Sequence, residues 1–211
     1  KKTGSTIIFG PNAEPNYDIY NGNDGEVFTI GDVSLTLIHT PGHTMESSCY
    51  LLKDAEGNQH SVFTGDTLFI GDVGRPDLAV KSGEITQYDL AGLMYDSLRK
   101  KLMKLQDHVI VYPAHGAGSS CGKNLGSETT STIGEQKATN YALQPMSKED
   151  FIKDVTDGLL APPPYFFKDV MMNKNGYKSI DDVVESNYKP LSSSDFAKEI
   201  ISGAFILDTR K

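Results

Sequence analysis

Three short stretches of this sequence each carry a metal-ligand type of residue directly after a run typical of a β-strand. "TLIHTPGH" ends on His43, "SVFTGD" ends on Asp66, and "VIVYPAH" ends on His115. Gly42 and Gly65 allow a tight backbone turn just before two of these residues. Because strand ends can meet along one edge of a sheet, we expect the three side chains to converge. Two imidazoles and a carboxylate suit a divalent transition metal, as in non-haem iron oxygenases and in zinc hydrolases.

The prediction depends on the combination, since a single histidine or aspartate at a strand end is more often a turn or capping residue. Three further histidines are present. We expect His39 to line the same loop as His43 without binding metal. His60 and His108 are predicted to be surface residues.

The loop "GDVGRPDL" after Asp66 places Arg75 between Asp72 and Asp77. An arginine in such a loop can bind an anionic group of a substrate with two parallel hydrogen bonds. It can equally pair with a neighbouring aspartate and lock the loop. The residue types alone leave both interpretations open.

Two cysteines occur, far apart in the sequence. Cys121 lies in the Gly/Ser-rich stretch "HGAGSSCGKN", two residues before Lys123. A nearby cation would lower its pKa and make the thiol reactive. The other interpretation is an exposed loop thiol without a role. Cys49, inside the strand-like run "SSCYLL", is predicted to be a core residue.

Composition excludes several classes of protein. The chain has 211 residues and a formal net charge of −8, and its densest basic run, "RKKLMK" at 99–104, reads as a solvated helix face. We therefore expect no nucleic-acid partner. No apolar run reaches transmembrane length, so no membrane partner is expected. Two widely separated cysteines favour a reducing compartment, the cytoplasm.

Apolar periodicity predicts a layered α/β fold. Up to about residue 66, short β-branched and aromatic runs alternate with Gly, Asn and Asp turns, and "DAEGN" at 54–58 is typical of a hairpin turn. Between 86 and 105, leucine or methionine recurs every four positions, which indicates an amphipathic helix. A strand at 108–115 follows. Ser147 and Ser192 are predicted to begin later helices.

The motifs resemble a known family when they are taken in order. "TPGHT", "FTGD" with "GDVGRPDL", and "YPAHG" are similar to those of the metallo-β-lactamase-fold superfamily. "FTGDTLFIGDVGRPDL" and "STIGEQK" resemble its persulfide dioxygenase branch. "PLSSSDFAKEIISG" and "AFILDTR" resemble the helix and opening strand at the start of a rhodanese domain. The resemblance covers residues 1 to about 165 and about 188 to 211, and it points to the bacterial dioxygenase–rhodanese fusion type.

This resemblance implies an αββα sandwich with the metal at one sheet edge. The implied organisation is a metallo-β-lactamase-like domain at 1–165, a linker at 166–187 and the start of a rhodanese-like α/β domain at 188–211. By position, His43 and Asp66 match two ligands of a mononuclear iron. His115 matches the second-site histidine, and Arg75 matches a substrate-binding arginine.

The implied function is oxidation of a low-molecular-weight thiol persulfide by O₂ to sulfite and thiol at Fe(II), coupled to rhodanese-type sulfur transfer. His115 and Cys121 are its candidate catalytic residues. The superfamily motif H-x-H-x-D-H is absent from the sequence, and both ends look cut. We therefore expect a piece of a longer polypeptide that is inactive alone. No aromatic residue follows His115 closely, so glutathione, coenzyme A and other thiol carriers all stay open.

Two other functions compete with the dioxygenase. A zinc thioester hydrolase of the glyoxalase II type would use a zinc-bound water as its nucleophile and would need a second metal. A non-catalytic scaffold module would need no metal. The sequence leaves a homo-oligomer open as well.

Overall fold

The computed structural model of the chain describes residues 3–80, 84–123 and 125–208. Most strands of the described chain belong to one six-stranded sheet, and the first two form a separate short parallel pair. The strands are β1 Ile8–Phe9, β2 Tyr20–Asn21, β3 Val27–Ile30, β4 Val33–His39, β5 Ser48–Lys53, β6 Gln59–Gly65, β7 Ile110–Pro113 and β8 Ser131–Thr132.

The six-stranded sheet follows the chain order from β3 to β8. Neighbours from β3 to β6 pair antiparallel, so short turns suffice between them. The predicted hairpin turn joins β5 to β6, where the Asp54 carboxylate accepts hydrogen bonds from the backbone of Glu56 and Asn58. β6 and β7 pair parallel, which requires a crossover segment. The carboxyl ends of these two strands consequently lie side by side.

A helix supplies that crossover. It confirms the amphipathic helix that was predicted from the repeat of leucine or methionine every four residues. Thr86 caps it, with a reciprocal pair of hydrogen bonds to Asp89. The helix ends at Lys100, and the predicted last turn is instead a separate 3₁₀ segment, Leu102–Lys104. The helices are α1 Gln87–Lys100, α2 Ile133–Thr139, α3 Lys148–Thr156, α4 Phe166–Asn175, α5 Ile180–Asn187 and α6 Ser193–Ile201, with a second 3₁₀ segment at Tyr141–Leu143. Ser147 and Ser192 cap α3 and α6 as predicted.

The core lies between one face of the sheet and the layer formed by α1 and α3, which confirms the layered α/β prediction. Side chains of α1 bury completely against inward residues of β5, β6 and β7, and Phe151 of α3 closes the layer. Strand residues alternate between the two faces. Val62 is fully buried beneath the helices, whereas Phe63 points to the other face, where it stacks on Tyr112 at 5.6 Å.

The C-terminal helices are built differently, because none of the residues of α4, α5 or α6 is buried. The stretch predicted as a linker, 166–187, contains α4 and α5. Residues 204–208 pair with no strand of the described chain, and residues 209–211 lie outside the described part, so the terminal strand stays a prediction. The domain boundaries stay predictions.

None of the helices in the described ranges combines the length and the apolar character that a membrane span requires.

The turn "TPGHT" is pressed against helix α1. A Cβ atom at Gly42 would lie 2.4 Å from Cβ and 2.6 Å from Cα of Met94. The oxygen of Pro41 also accepts a 2.8 Å hydrogen bond from the Ser97 hydroxyl of the same helix. Only glycine permits this approach, so the position of the loop that carries His43 is fixed by packing on α1.

We predict that Gly42→Ala lowers the free energy of unfolding by about 1–3 kcal/mol, because the added methyl overlaps the α1 backbone. Gly116→Ala is the matched control, since a Cβ at Gly116 meets nothing within 4 Å. Urea unfolding followed by circular dichroism measures both variants. Equal stability of the two variants would contradict the close approach.

Candidate metal centre

The structure brings the three strand-end residues together. Asp66 directly follows β6, His115 comes two residues after β7, and His43 lies in the loop after β4. His43 Nε2 is 3.4 Å from Asp66 Oδ2, and His115 Nδ1 is 2.8 Å from Asp66 Oδ1. The carboxylate therefore stands between the two imidazoles and uses one oxygen toward each.

The orientation of His43 is set by a backbone carbonyl. Its Nδ1 lies 2.8 Å from the carbonyl oxygen of Arg75. A carbonyl only accepts, so Nδ1 carries the proton and, in the neutral ring, the lone pair of Nε2 faces Asp66. Two electron-pair donors thus face each other at 3.4 Å. A divalent cation satisfies such a pair, and histidine ligands in metalloproteins are oriented in this way.

The backbone around Asp66 is tightly packed. Gly65 has φ of +53°, consistent with the predicted turn. A Cβ atom at Gly74 would lie 1.9 Å from the carbonyl oxygen of Asp66 and 3.1 Å from Cγ of His43. Glycine at position 74 is therefore what lets the "GDVGRPDL" loop reach both residues. The Asp66 side chain is only 15% exposed, so its charge is partly removed from water.

Threonine hydroxyl groups connect the loop after β4, which carries His43, to the loop after β6, which carries Asp66. Thr40, next to His39, and Thr67, next to Asp66, share a 2.8 Å hydrogen bond between their hydroxyl oxygens and are fully buried or nearly so. The Thr64 hydroxyl donates to the carbonyl oxygen of Leu68 at 2.6 Å. Sequence reasoning missed these threonines, although their positions flanking the ligand motifs were a usable signal.

A buried polar network around Asp72 supports the "GDVGRPDL" loop. The Asp72 carboxylate accepts hydrogen bonds from the backbone N–H of Lys123 at 2.6 Å and from the Tyr141 hydroxyl at 3.1 Å. The Asn140 amide donates to the carbonyl oxygens of Phe69 and Asp72. Burial and the neighbouring Asp72 raise the pKa of Tyr141, which therefore stays a hydrogen-bond donor. Asn140 and Tyr141, which follow the "STIGEQK" helix, thus hold the "GDVGRPDL" loop in place.

Arg75 pairs with the neighbouring Asp77, which is the contact expected of an arginine that locks its loop. Its Nε and Nη2 each lie 2.7 Å from one oxygen of Asp77, and its side chain is 5% exposed. Nη1 reaches the carbonyl oxygen of Ser120, and Nη2 reaches that of Leu160, in the segment after α3. Contact between this guanidinium and a substrate would require part of that set of contacts to open.

Cys121 lies at the centre, but its surroundings differ from the prediction. Its Sγ, a carboxylate oxygen of Asp66 and a ring nitrogen of His115 all lie within 4.8 Å of one another. Burial raises the pKa of the thiol and the charge of Asp66 adds to the rise, so the predicted lowering is wrong. Lys123 does not provide the expected cation, because its Nζ donates to the carbonyl oxygen of Asp154.

The predicted positions of His39, His60, His108 and Cys49 agree with the structure. His60 and His108 are exposed, and His39 Nε2 contacts the carbonyl oxygen of Met45 in the His43 loop. Cys49 is fully buried in β5, and burial raises its pKa to about 11.

The family model of the metallo-β-lactamase superfamily matches residues 2–115, more than half of the chain. A protein of Mycobacterium tuberculosis is 35% identical over 136 residues, 64% of this chain and 52% of its own length. The "Probable hydroxyacylglutathione hydrolase glo2" of Schizosaccharomyces pombe is 36% identical over 96 residues, 46% of this chain and 33% of its own. "Glyoxylase B2" of Dictyostelium discoideum is 31% identical over 153 residues, 71% of this chain and 47% of its own.

Two solved structures extend the likeness. A metallo-β-lactamase from Staphylococcus aureus superposes with a TM-score of 0.74 at 30% identity, over 90% of this chain and 54% of its own. ETHE1 from Myxococcus xanthus superposes with a TM-score of 0.63 at 28% identity, over 82% of this chain and 67% of its own.

The chain spans about half the length of the curated relatives it matches. The ligand motifs at the sheet edge, the helix-covered sheet and the family match agree, and the chain belongs to the metallo-β-lactamase superfamily.

Proposed function

We propose that the protein containing this chain is a non-haem iron persulfide dioxygenase. The observation that carries the proposal is the pair of facing donors, His43 Nε2 and Asp66 Oδ2, at 3.4 Å. Members of the superfamily bind zinc or iron, and a histidine nitrogen with a carboxylate oxygen accommodates either metal. The choice of reaction then depends on the loops around this pair.

Those loops favour the dioxygenase branch. The stretch "FTGDTLFIGDVGRPDL" lies against "STIGEQK" and the residues after it through Asn140, Gln136 and Tyr141. These are the two motifs that resemble persulfide dioxygenases. ETHE1, a persulfide dioxygenase, superposes on 82% of this chain.

The proposed reaction converts a thiol persulfide, O₂ and water into the thiol, sulfite and two protons. The S–S bond breaks, the outer sulfur is oxidised, O₂ is reduced, and water contributes the remaining oxygen of sulfite. Iron bound here would supply the site at which the persulfide sulfur and O₂ meet.

The residues of this chain have separate roles in the proposal. His43 and Asp66 hold the metal, with the carbonyl oxygen of Arg75 fixing the His43 ring. His115 Nδ1 lies 2.8 Å from Asp66 Oδ1, so its Nε2 would be the nitrogen that meets the substrate. The His115 side chain is 42% exposed, so it lies on the open side of the centre. Arg75 would orient an anionic substrate group when its contacts open. The thiol carrier is glutathione, coenzyme A or another small thiol.

Sulfur transfer by a rhodanese-like unit belongs to the same proposal. It rests on "PLSSSDFAKEIISG" and "AFILDTR", the first of which forms α6 with Ser192 as its cap. The superposition with the Staphylococcus aureus protein covers 90% of this chain, so it includes residues beyond 165. The cytoplasm is the proposed location.

One observation favours a second function, thioester hydrolysis at a pair of zinc ions. Asp66 directs Oδ2 to His43 and Oδ1 to His115, as a carboxylate shared by two metals would. The hydroxyacylglutathione hydrolase relative supports the same function. A scaffold role has less support, because members of this superfamily are generally enzymes.

We expect the full-length protein, loaded with Fe(II), to consume O₂ and release sulfite when given a thiol persulfide. Persulfides of glutathione and of coenzyme A, compared at equal concentration, identify the carrier. An acylglutathione thioester with zinc-loaded protein is the matched test of hydrolysis. Thioester turnover without persulfide-dependent O₂ uptake would overturn the dioxygenase.

We predict that His43→Ala removes most bound iron and lowers persulfide-dependent O₂ uptake by about 100-fold or more. Losing an outer hydrogen-bond partner already costs about 10–100-fold at metal sites, and His43 would be a ligand itself. His60→Ala is the control, because His60 is exposed on β6 away from the centre. Iron content is measured by atomic absorption. Unchanged iron content in His43→Ala would exclude this residue as a ligand.

We expect Arg75→Lys to lower the free energy of unfolding by about 1–3 kcal/mol, because lysine cannot make the paired contacts to Asp77. Asp77→Asn breaks the same pair from the other end and should cost a similar amount. Chemical unfolding and the KM for the persulfide are measured together. Unchanged stability with a raised KM would show that Arg75 serves the substrate alone.

A further inference from the structure

We propose that Asp24 and Lys101 are positioning residues for the metal ligand His43, because together they hold the end of the strand from which the His43 loop starts. Both side chains contact His39, the last residue of β4. The turn "TPGHT", which contains His43, follows directly. The inference rests on His43 being a metal ligand, as in the proposed function, and it holds for iron and for zinc alike.

Strand β4 continues beyond the end of its neighbour β3. Among the described strands, β3 pairs with β4 only as far as Thr36, so this edge of β4 needs other partners from there on. The backbone N–H of Leu37 donates to the carbonyl oxygen of Glu26, and its carbonyl oxygen accepts from the N–H of Gly25, each at 2.8 Å. In an antiparallel pair, alternate residues point their backbone groups to the same side. The next residue on this edge that needs a donor and an acceptor is therefore His39.

Two side chains take the place of a strand at His39. Its backbone N–H donates to Asp24 Oδ1 at 2.8 Å, and its carbonyl oxygen accepts from Lys101 Nζ at 2.6 Å. Lys101 Nζ also donates to Asp24 Oδ2 at 2.6 Å, so the two side chains hold each other as well as the strand. Hydrogen bonds of charged groups are shorter and stronger than those of neutral ones. The end of β4 thus keeps a fixed position where β3 no longer supports it.

Lys101 extends the face of α1 that packs on the "TPGHT" turn. It directly follows α1, and its N–H donates to the carbonyl oxygen of Ser97. Ser97 in turn bonds the oxygen of Pro41, and Met94 lies against Gly42. Residues three or four positions apart share one face of a helix. The helix therefore holds the middle of the turn through Met94 and Ser97 and the strand that enters it through Lys101.

The ring of His39 carries the restraint across the loop. Its Nε2 donates to the carbonyl oxygen of Met45 at 2.8 Å, since a carbonyl oxygen only accepts. Met45 comes two residues after His43, so the loop is bonded to His39 beyond the ligand as well as before it. Ligands have to be held within about 0.5 Å of their productive positions. Loosening His39 from Asp24 and Lys101 would free both ends of the loop together.

Lys101→Met tests the inference, because methionine keeps much of the side-chain length but has no ammonium group. Zn²⁺ is the probe, since it takes nitrogen and oxygen ligands and has no redox chemistry. The full-length protein is stripped of metal, and its dissociation constant for Zn²⁺ is measured by competition with a chromophoric chelator. We expect this constant to rise about 10-fold, the lower end of the cost of losing an outer partner at metal sites. Lys101→Arg keeps donors for both acceptors and should recover most of the affinity.

Lys137→Met is the matched control. Lys137 Nζ also bridges a carboxylate and a carbonyl oxygen, Asp107 Oδ1 at 2.6 Å and the oxygen of Leu105 at 3.2 Å. The two lysine side chains are similarly exposed, 27% for Lys137 and 31% for Lys101. The control bridge lies before the first residue of β7, at the opposite end of that strand from the metal centre. We expect Lys137→Met to bind Zn²⁺ as the wild-type protein does, while urea unfolding shows similar losses of stability for both methionine variants.

Asp24→Ala removes the acceptor of the His39 N–H and should weaken Zn²⁺ binding in the same direction, and it decides the question if Lys101→Met does not fold. Wild-type affinity in these variants, or an equal loss in Lys137→Met, would overturn the inference. His43→Ala in the same assay separates it from the proposed function. Weakened binding in His43→Ala with unchanged binding in Lys101→Met would reject the positioning pair alone, whereas unchanged binding in His43→Ala would reject the ligand and the inference with it.

Discussion

The structure around this centre depends on one carboxylate held between two imidazoles. Asp66 contacts His43 through one oxygen and His115 through the other, while its side chain is only 15% exposed. A charge withdrawn from water needs partners, and these two rings are the ones the sheet edge provides. β6 and β7 bring Asp66 and His115 side by side because they pair parallel. His43 comes from the loop after β4, so it must be carried to the carboxylate by packing.

That packing explains why so much of the surrounding sequence is glycine, threonine and buried polar residues. Gly42 lets the His43 loop touch α1, and Gly74 lets the next loop touch the backbone of Asp66. The buried pair Thr40–Thr67 joins the two loops. Asp72 is fully buried and binds the Tyr141 hydroxyl and the N–H of Lys123. A satisfied buried network of this kind costs little and fixes one arrangement, whereas a partly satisfied one would let the ligands drift.

Much of this could be predicted from the sequence, for identifiable physical reasons. Ligand residues at strand ends are visible because strand periodicity and the turn that follows are local signals. The helix at 86–105 is visible because its apolar face repeats every four residues. The partner of Arg75 was not decidable, since Asp72, Asp77 and a substrate offer the same charge. The pKa of Cys121 was misjudged because Lys123 is adjacent in sequence but bonds elsewhere in space. The helices in 166–187 form by local hydrogen bonding within the stretch that the resemblance implied to be a linker.

Arg75 shows how the centre is linked to the rest of the chain. Its carbonyl oxygen orients His43, and its N–H holds Cys121. Its guanidinium binds Asp77 and the carbonyl oxygens of Ser120 and Leu160. One residue therefore joins both sides of the metal centre to the segment that leads out of α3 toward the exposed helices. A movement of that segment would shift the guanidinium first and the ligands through the same backbone. The segment after α3 is therefore bonded to the same residue that orients His43 and holds the backbone of Cys121.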